Sequence, residues 1–448
     1  MRLKKIVWKV IFCFLLLGMM LGCGGDGDAG DSLSSQTCSE LGGNVCSSSQ
    51  TCSGSWLDAS DEDYCCNGSC TDATTFFSGD SPFGAHGGYE GLNGIGVKYK
   101  RNTANPCGLV WDLIEPNYDG VYDWSAFEGC VDTADSLGIK LMVSITSMNT
   151  QDQISCGKCT GNDGFCDRLN PCNWTKYEDF LKTAIGLYGS RIRYWQLENE
   201  PSYNGHFYID TPENYAELLS RSYSIIKENC QDCEVVVAGM AGYNTAVEDY
   251  YSNILSSLQN RPECVQSGCF DIIDTHAGGE ATGWYDELGN IYSEVSSLFS
   301  GFGFPGKPVW STEFGSLNCG TTNNMGQALI KLYSSGLFAG FKKLFWRVSE
   351  CPSWIIEKGE KTDTYYAYKT LISKIEGFNS IKKISDGQYK FSVNGKNVYV
   401  LWCDSGSCSI PPEITGTVFV TDYLGSETTM DAYKMKLTES PVFVEAAQ

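Results

Sequence analysis

Between about residues 82 and 377 the sequence predicts an α/β fold, a (β/α)8 TIM barrel, with a small β-sandwich-like domain over 378–448 and a cysteine-rich module before it. Three observations carry this. Strand-like apolar runs alternate with amphipathic helical stretches, which argues for βα units and a parallel sheet. Eight such runs can be counted over this length, the number a barrel needs. After about residue 378 the helical pattern stops and short strand signals take over.

The eight runs are Phe83–His86, Val97–Arg101, Lys140–Ser144, Tyr194–Asn199, Glu234–Met240, Phe270–Thr275, Pro308–Thr312 and Lys343–Arg347. Between them, Thr211-Pro212-Glu213-Asn214 opens a helix with an N-cap and a proline in the first turn, followed by an apolar stripe of Tyr215, Leu218, Leu219, Tyr223 and Ile226. Asn173-Trp174 opens another that runs to Tyr188-Gly189, and a third spans Trp124 to about Leu137, closed by Gly138. The connection within Gly87–Gly96 is short and glycine-rich, a poor helix. In the C-terminal region, Asn394-Gly395 between Tyr389–Val393 and Asn397–Trp402 marks a hairpin, with Thr417–Thr421 and Pro441–Glu445 as further strands.

The N-terminus reads differently. Met1 to Lys5 and the apolar run Val10 to Leu21 form a basic segment and a hydrophobic segment, too short to span a membrane comfortably. Residues 1–22 therefore read as an export signal. Met20-Leu21-Gly22-Cys23 resembles a bacterial lipoprotein cleavage box, with Cys23 as the lipidated residue and a lipid anchor in the membrane as one partner; ordinary cleavage nearby, or retention as an anchor, also export the chain. The expected location is the cell surface or periplasm. Residues 23–37 have linker composition. Six cysteines follow over 38–70 in an order that resembles small cystine-knot modules, with fifteen connectivities open. A formal charge of −22 and no basic patch exclude nucleic acid as an expected partner.

Two carboxylates stand out by position. Glu200, in Asn199-Glu200-Pro201, ends the fourth predicted strand; Glu313, in Thr312-Glu313-Phe314-Gly315, ends the seventh. In such barrels the reacting groups come from the C-terminal ends of the strands. A pair of carboxyl groups across a cleft is also the minimum equipment for cleaving a glycosidic bond. These two motifs together resemble the glycoside hydrolases of clan A, most nearly the family 39, 42 and 5 types, over about residues 82–445. The resemblance implies a retaining β-glycosidase acting on a β-linked carbohydrate, with no metal or cofactor. It implies Glu200 as general acid/base, Glu313 as nucleophile, Asn199 on the sugar 2-hydroxyl, Arg101 orienting the nucleophile, and Trp346 as a stacking floor.

Other residues enter by position alone. His276 and His86 follow strand ends on the same face and are expected in the site, His206 less so; Trp111, Trp284 and Tyr285 could line subsites. Glu198 is expected to be supporting or buried and paired, and Glu115 and Glu350 rim or structural. A carbohydrate-binding surface protein without turnover and a transglycosidase share most of these residues. Cys156, Cys159, Cys166 and Cys172 have spacing that a metal could use, but an exported chain favours two disulfides stapling that loop. Cys230–Cys233, Cys264–Cys269, Cys403–Cys408 and Cys319–Cys351 are further expected bridges.

Overall fold

A computed structural model describes residues 36–46, 50–52, 56–57, 59–60, 65–72, 80–103, 106–159, 168–201, 207–279, 287–316, 324–351 and 353–447. The export signal, Cys23 and almost all of the linker lie outside the described residues, as do Cys166, His206, Trp284, Tyr285 and Cys319.

Eight parallel strands form the barrel: β1 (Phe83–His86), β2 (Tyr99–Asn102), β3 (Lys140–Thr146), β4 (Tyr194–Leu197), β5 (Glu234–Val236), β6 (Ile273–Asp274), β7 (Val309–Ser316) and β8 (Lys343–Arg347). Their order is β5-β4-β3-β2-β1-β8-β7-β6. Parallel bridges Val236–Ile272 and Met240–Thr275 join β5 to β6 and close the ring. Seven helices wrap it: α1 (Ser125–Ser136), α2 (Trp174–Tyr188), α3 (Pro212–Asn229), α4 (Thr245–Gln259), α5 (Leu288–Gly301), α6 (Met325–Ala339) and α7 (Asp363–Ile375). Between β1 and β2 the glycine-rich connection makes only a 3-10 turn, Leu92–Gly94.

Local signals act as expected. Thr211 Oγ1 accepts from Asn214 N at 3.2 Å, with Pro212 in the first turn of α3. Asn173 Oδ1 caps α2 through Lys176 N at 3.2 Å. Each such cap stabilises a helix by about 1 kcal/mol.

The barrel interior is built in layers. Its floor is apolar: Tyr99, Met142, Tyr194, Val236, Ile272, Trp310 and Phe345, one from each of seven strand positions. Gly84 on β1 makes room for this floor, since a Cβ there would lie 2.6 Å from a ring carbon of Phe345. One step higher along the strands, where side chains again point inward, the residues turn polar. Arg101, Ser144, Gln196, Asp274 and Thr312 are all buried. Groups of this kind are retained inside only when hydrogen-bonded, and these bond to each other.

The C-terminal region is an antiparallel sheet of six strands: β9 (Phe378–Ser385), β10 (Gln388–Val393), β11 (Lys396–Leu401), β12 (Thr417–Asp422), β13 (Glu427–Asp431) and β14 (Val442–Ala446), in the order β9-β10-β11-β14-β12-β13. Asn394 and Gly395 take φ of 49° and 80°, the left-handed pair that a two-residue hairpin turn requires. One face packs on α6, where the Tyr389 hydroxyl meets Ser335 Oγ at 2.9 Å and its ring meets Phe338. The other face carries its own small core of Tyr399, Leu401, Ile414, Val418, Ala432 and Val444.

Described disulfides join Cys38–Cys65, Cys46–Cys70, Cys107–Cys130, Cys156–Cys172, Cys230–Cys233, Cys264–Cys269 and Cys403–Cys408. The module over 38–70 thus pairs its first cysteine with its fourth and its second with its sixth. Cys156 and Cys172 are bridged and Cys159 is disulfide-bonded too, so this loop offers no set of thiolates to a metal. Cys107–Cys130, which ties the loop after β2 to α1, had no signal in the sequence. So many bridges suit an oxidising compartment. Among the described residues no helix is long and apolar enough to cross a membrane.

Candidate active site

The polar layer rises into a cluster at the C-terminal end of the barrel. Arg101, fully buried near the end of β2, is its hub. Its Nε and Nη2 donate to Gln196 Oε1 at 2.8 and 2.6 Å, Nη2 also donates to Asn199 Oδ1 at 2.6 Å, and Nη1 donates to Glu313 Oε1 at 2.6 Å. Arginine has donors only, so the Asn199 atom it meets must be the carbonyl oxygen. The Asn199 amide nitrogen is thereby turned away from Arg101, as a donor available to something else.

Backbone irregularities aim the two glutamates. On β7 the register against β8 slips between Ser311 and Phe314, so one extra residue is inserted there. Such a bulge re-aims a side chain. Trp310 and Thr312 face inward as alternation requires, and the bulge lets Glu313 join them. On β4 the strand ends at Leu197, and Glu198 and Glu200 take φ of 64° and 39°. Non-glycine residues there are strained and persist where surroundings hold them. Here Glu198 N donates to Ile145 O at 2.9 Å, and the Glu198 carboxylate accepts from Ser147 N and Oγ at 2.8 and 2.6 Å. Glu198 is buried as expected, but its partner is neutral Ser147 rather than a cation. Burial pushes its carboxyl up to about 7.

His276 lies between the two glutamates. Its Nδ1 is 2.5 Å from Glu200 Oε1 and 3.9 Å from Glu313 Oε1, while Nε2 faces Asp274 Oδ2 at 3.5 Å and Thr312 Oγ1 at 3.3 Å. Gly239, just beyond β5, is required for this approach: a Cβ there would fall 2.1 Å from His276 Nε2. Burial disfavours a charged imidazole, but Glu313, Asp274 and Glu200 outweigh it and raise His276 to about 9. Glu313 is likewise opposed by burial, yet His276, His86, Arg101 and Arg347 hold it well below the usual carboxylate range. One oxygen of each glutamate and one nitrogen of His276 lie within 4.8 Å of one another. That donor set could hold a cation only by displacing the proton on His276, and Arg101 already pairs with Glu313.

His86 ends β1 with Nε2 at 3.7 Å from Glu313 Oε1 and 3.5 Å from Glu350 Oε1, and burial lowers its basicity. Glu350 lies at the rim as expected and pairs with Arg347, the inward residue at the end of β8.

The structure therefore brings Glu200, Glu313, Asn199, Arg101, His276 and His86 together. It removes two others. Trp346 alternates outward between Phe345 and Arg347, is fully buried against Phe314 and Tyr333, and donates Nε1 to Ser353 O at 3.0 Å. Its faces are used by core packing, so it is no stacking floor. Trp111 is also fully buried, bonded to Glu115 Oε2 at 2.7 Å and stacked on Phe180. Glu115, structural as expected, also accepts from Gly120 N at 2.6 Å. Four supporting residues were missed: Gln196, Asp274, Thr312 and Arg347. Inward-facing polar residues two positions along β4, β6, β7 and β8 from the apolar floor were the signal that could have found them.

The fold and the site define a closed parallel (β/α)8 barrel with a carboxylate pair, an arginine and two histidines converging at the C-terminal ends of its strands. No family model matches the sequence, and no curated protein matches it. Solved structures share the fold. A family 39 glycoside hydrolase from the gut symbiont Bacteroides cellulosilyticus WH2 matches with TM-score 0.60 and 16% identity, over 82% of this chain and 81% of that one. A GH39 β-xylosidase from Caulobacter crescentus matches with TM-score 0.59 and 15% identity, over 84% and 97%. A Paenibacillus polymyxa xyloglucanase from glycoside hydrolase family 44 matches with TM-score 0.56 and 12% identity, over 81% and 96%.

Proposed function

We propose that this chain is a retaining glycoside hydrolase of the clan A type that cleaves β-linked oligo- or polysaccharides outside the cytoplasm, held to a membrane by a lipid on Cys23. The observation that carries the reading is the approach of Glu200 and Glu313, with oxygens within 4.8 Å of each other. Retaining enzymes hold their carboxyl groups about 5–5.5 Å apart, whereas inverting ones leave room for a water at about 6.5–9.5 Å. The folds of the solved structures above belong to proteins described as glycoside hydrolases, which supports the same class.

In this mechanism Glu313 is the nucleophile. Arg101 and His276 keep it ionised, ready to attack the anomeric carbon, with His86 beside it. Glu200 gives a proton to the glycosidic oxygen as that C–O bond breaks, leaving a glycosyl ester on Glu313. Water then attacks the same carbon, loses a proton to Glu200, and frees Glu313. The Asn199 amide, turned outward by Arg101, donates to the sugar 2-hydroxyl, a contact that strengthens in the transition state.

The test is stereochemical. Hydrolysis of an aryl β-glycoside followed by NMR should release the β-anomer first, and Glu313→Ala should abolish turnover. First release of the α-anomer, or turnover surviving Glu313→Ala, rejects the mechanism.

A further inference from the structure

The loops after β1 and β8 are tied together beside the nucleophile. Gly88 N donates to Ser349 Oγ at 3.0 Å, and a Cβ on Gly87 (φ 114°) would fall 2.1 Å from that same oxygen. So close an approach requires glycine. The tie lies one and two residues beyond His86, itself 3.7 Å from Glu313, and Ser349 directly precedes Glu350, 3.5 Å from His86. Around it opens a pocket of about 310 Å³, within the range of small-ligand sites, whose lining includes Glu90, Ser349, Trp354, Ile356, Glu357 and Lys358. Trp354 is partly exposed in this pocket. A half-exposed aromatic wall flanked by the charged side chains of Glu90, Glu357 and Lys358 is the equipment for a ring with apolar faces and hydroxyl edges.

The strand order says which part of a substrate would reach it. Around the ring β8 lies opposite β4, four strands away in either direction, and β8 is the neighbour of β7. The leaving group must depart beside the acid on β4. The far end of the glycone then points to the opposite wall, toward β8 and β1.

We infer that this pocket is a second glycone subsite, which binds the sugar ring preceding the one attacked by Glu313, with Trp354 as its stacking wall. The inference rests on the reading of the chain as a glycoside hydrolase. It makes the substrate a chain cleaved at least two units from its non-reducing end, rather than an oligosaccharide trimmed one sugar at a time.

The experiment compares aryl β-glycosides of one sugar with those of the matching β-linked disaccharide, using glucoside and cellobioside, xyloside and xylobioside, and mannoside and mannobioside. For the preferred sugar, the disaccharide should be released intact with kcat/KM at least about tenfold above the monosaccharide. Trp354→Leu should remove roughly that tenfold gain and leave the monosaccharide rate unchanged. Glu357→Ala, on an exposed hairpin outside the core, should act in the same direction and guards against a folding defect. Equal rates on the two substrates, or equal losses on both in the variants, overturn the subsite. Should no glycoside be turned over, the enzyme reading fails separately, and calorimetric binding of the free disaccharides decides: affinity lost in Trp354→Leu upholds the pocket, and unchanged or absent affinity overturns it.

Discussion

Nδ1 of His276 stands 2.5 Å from a carboxylate oxygen of Glu200, and the same imidazole reaches toward Glu313 at 3.9 Å. One ring thus sits against both glutamates, with Asp274 behind it.

The charge on that ring sets a pH dependence. His276 is raised to about 9, since Glu313, Asp274 and Glu200 together outweigh burial, whereas an unfolded histidine titrates near 6.5. The folded state therefore binds the extra proton between these values. Its contribution to stability is complete below about 6.5 and is lost as pH rises through about 9. Thermal unfolding of the wild type and His276→Asn across pH 6 to 10 should show the gap between them narrowing over that window. Parallel curves would mean that His276 is not charged in the folded state.

Arg101 gives a second expectation. Its guanidinium makes four hydrogen bonds and neutralises Glu313 with no exposure to solvent. Lysine cannot reproduce a planar fork of donors, and removing one partner of a buried pair costs about 3–5 kcal/mol. Arg101→Met should lower the unfolding midpoint and reduce kcat/KM by at least about a hundredfold. Combining it with Glu313→Gln should recover part of the stability but none of the activity, a non-additivity that a double-mutant cycle measures. Additive stability losses would break the proposed coupling.

Much of this was legible beforehand, for a physical reason. Caps, turns and apolar alternation are local signals, and they placed all eight strands and the helices α1, α2 and α3. Glu200 and Glu313 were legible because strand ends at one barrel face converge, and Arg101 through the family resemblance that their motifs carry. Exposure was not legible. A tryptophan one residue from a strand end, such as Trp346, faces the cleft or the helices according to register, and composition does not choose between them. Nor could sequence show that a bulge on β7 adds Glu313 to the inward set, or that Gly239 is there to admit His276.

The placement of Trp346 is itself testable. It fills the space between β8, Phe314 and Tyr333. Losing a buried aromatic side chain costs about 3–5 kcal/mol. Trp346→Ala should therefore destabilise the fold strongly, while Trp346→Phe should keep KM for a small aryl glycoside near the wild-type value. A large KM increase in the phenylalanine variant with an unchanged unfolding midpoint would restore Trp346 to the substrate.

Glu198 supplies the last expectation. Its carboxyl is buried, bonded among the described residues to Ser147 alone, and raised to about 7 by desolvation. An unfolded glutamate titrates near 4.3. At intermediate pH the folded chain keeps a proton that the unfolded chain has lost, so the site costs nothing below about 4.3 and becomes progressively destabilising as pH rises toward and through 7. The penalty levels off above pH 7 at about 3–4 kcal/mol, at 1.36 kcal/mol for each unit of displacement. Glutamine removes the ionisation while its carbonyl oxygen can still accept from Ser147 N and Oγ. Glu198→Gln should thus match the wild type near pH 4.5 and unfold at a higher temperature near pH 8. Glu198→Ala should lose stability throughout and take activity with it, because Ser147 then releases the strained turn that carries Asn199 and Glu200. A glutamine variant no more stable than the wild type at pH 8 would show that this carboxylate has a stabilising partner when charged.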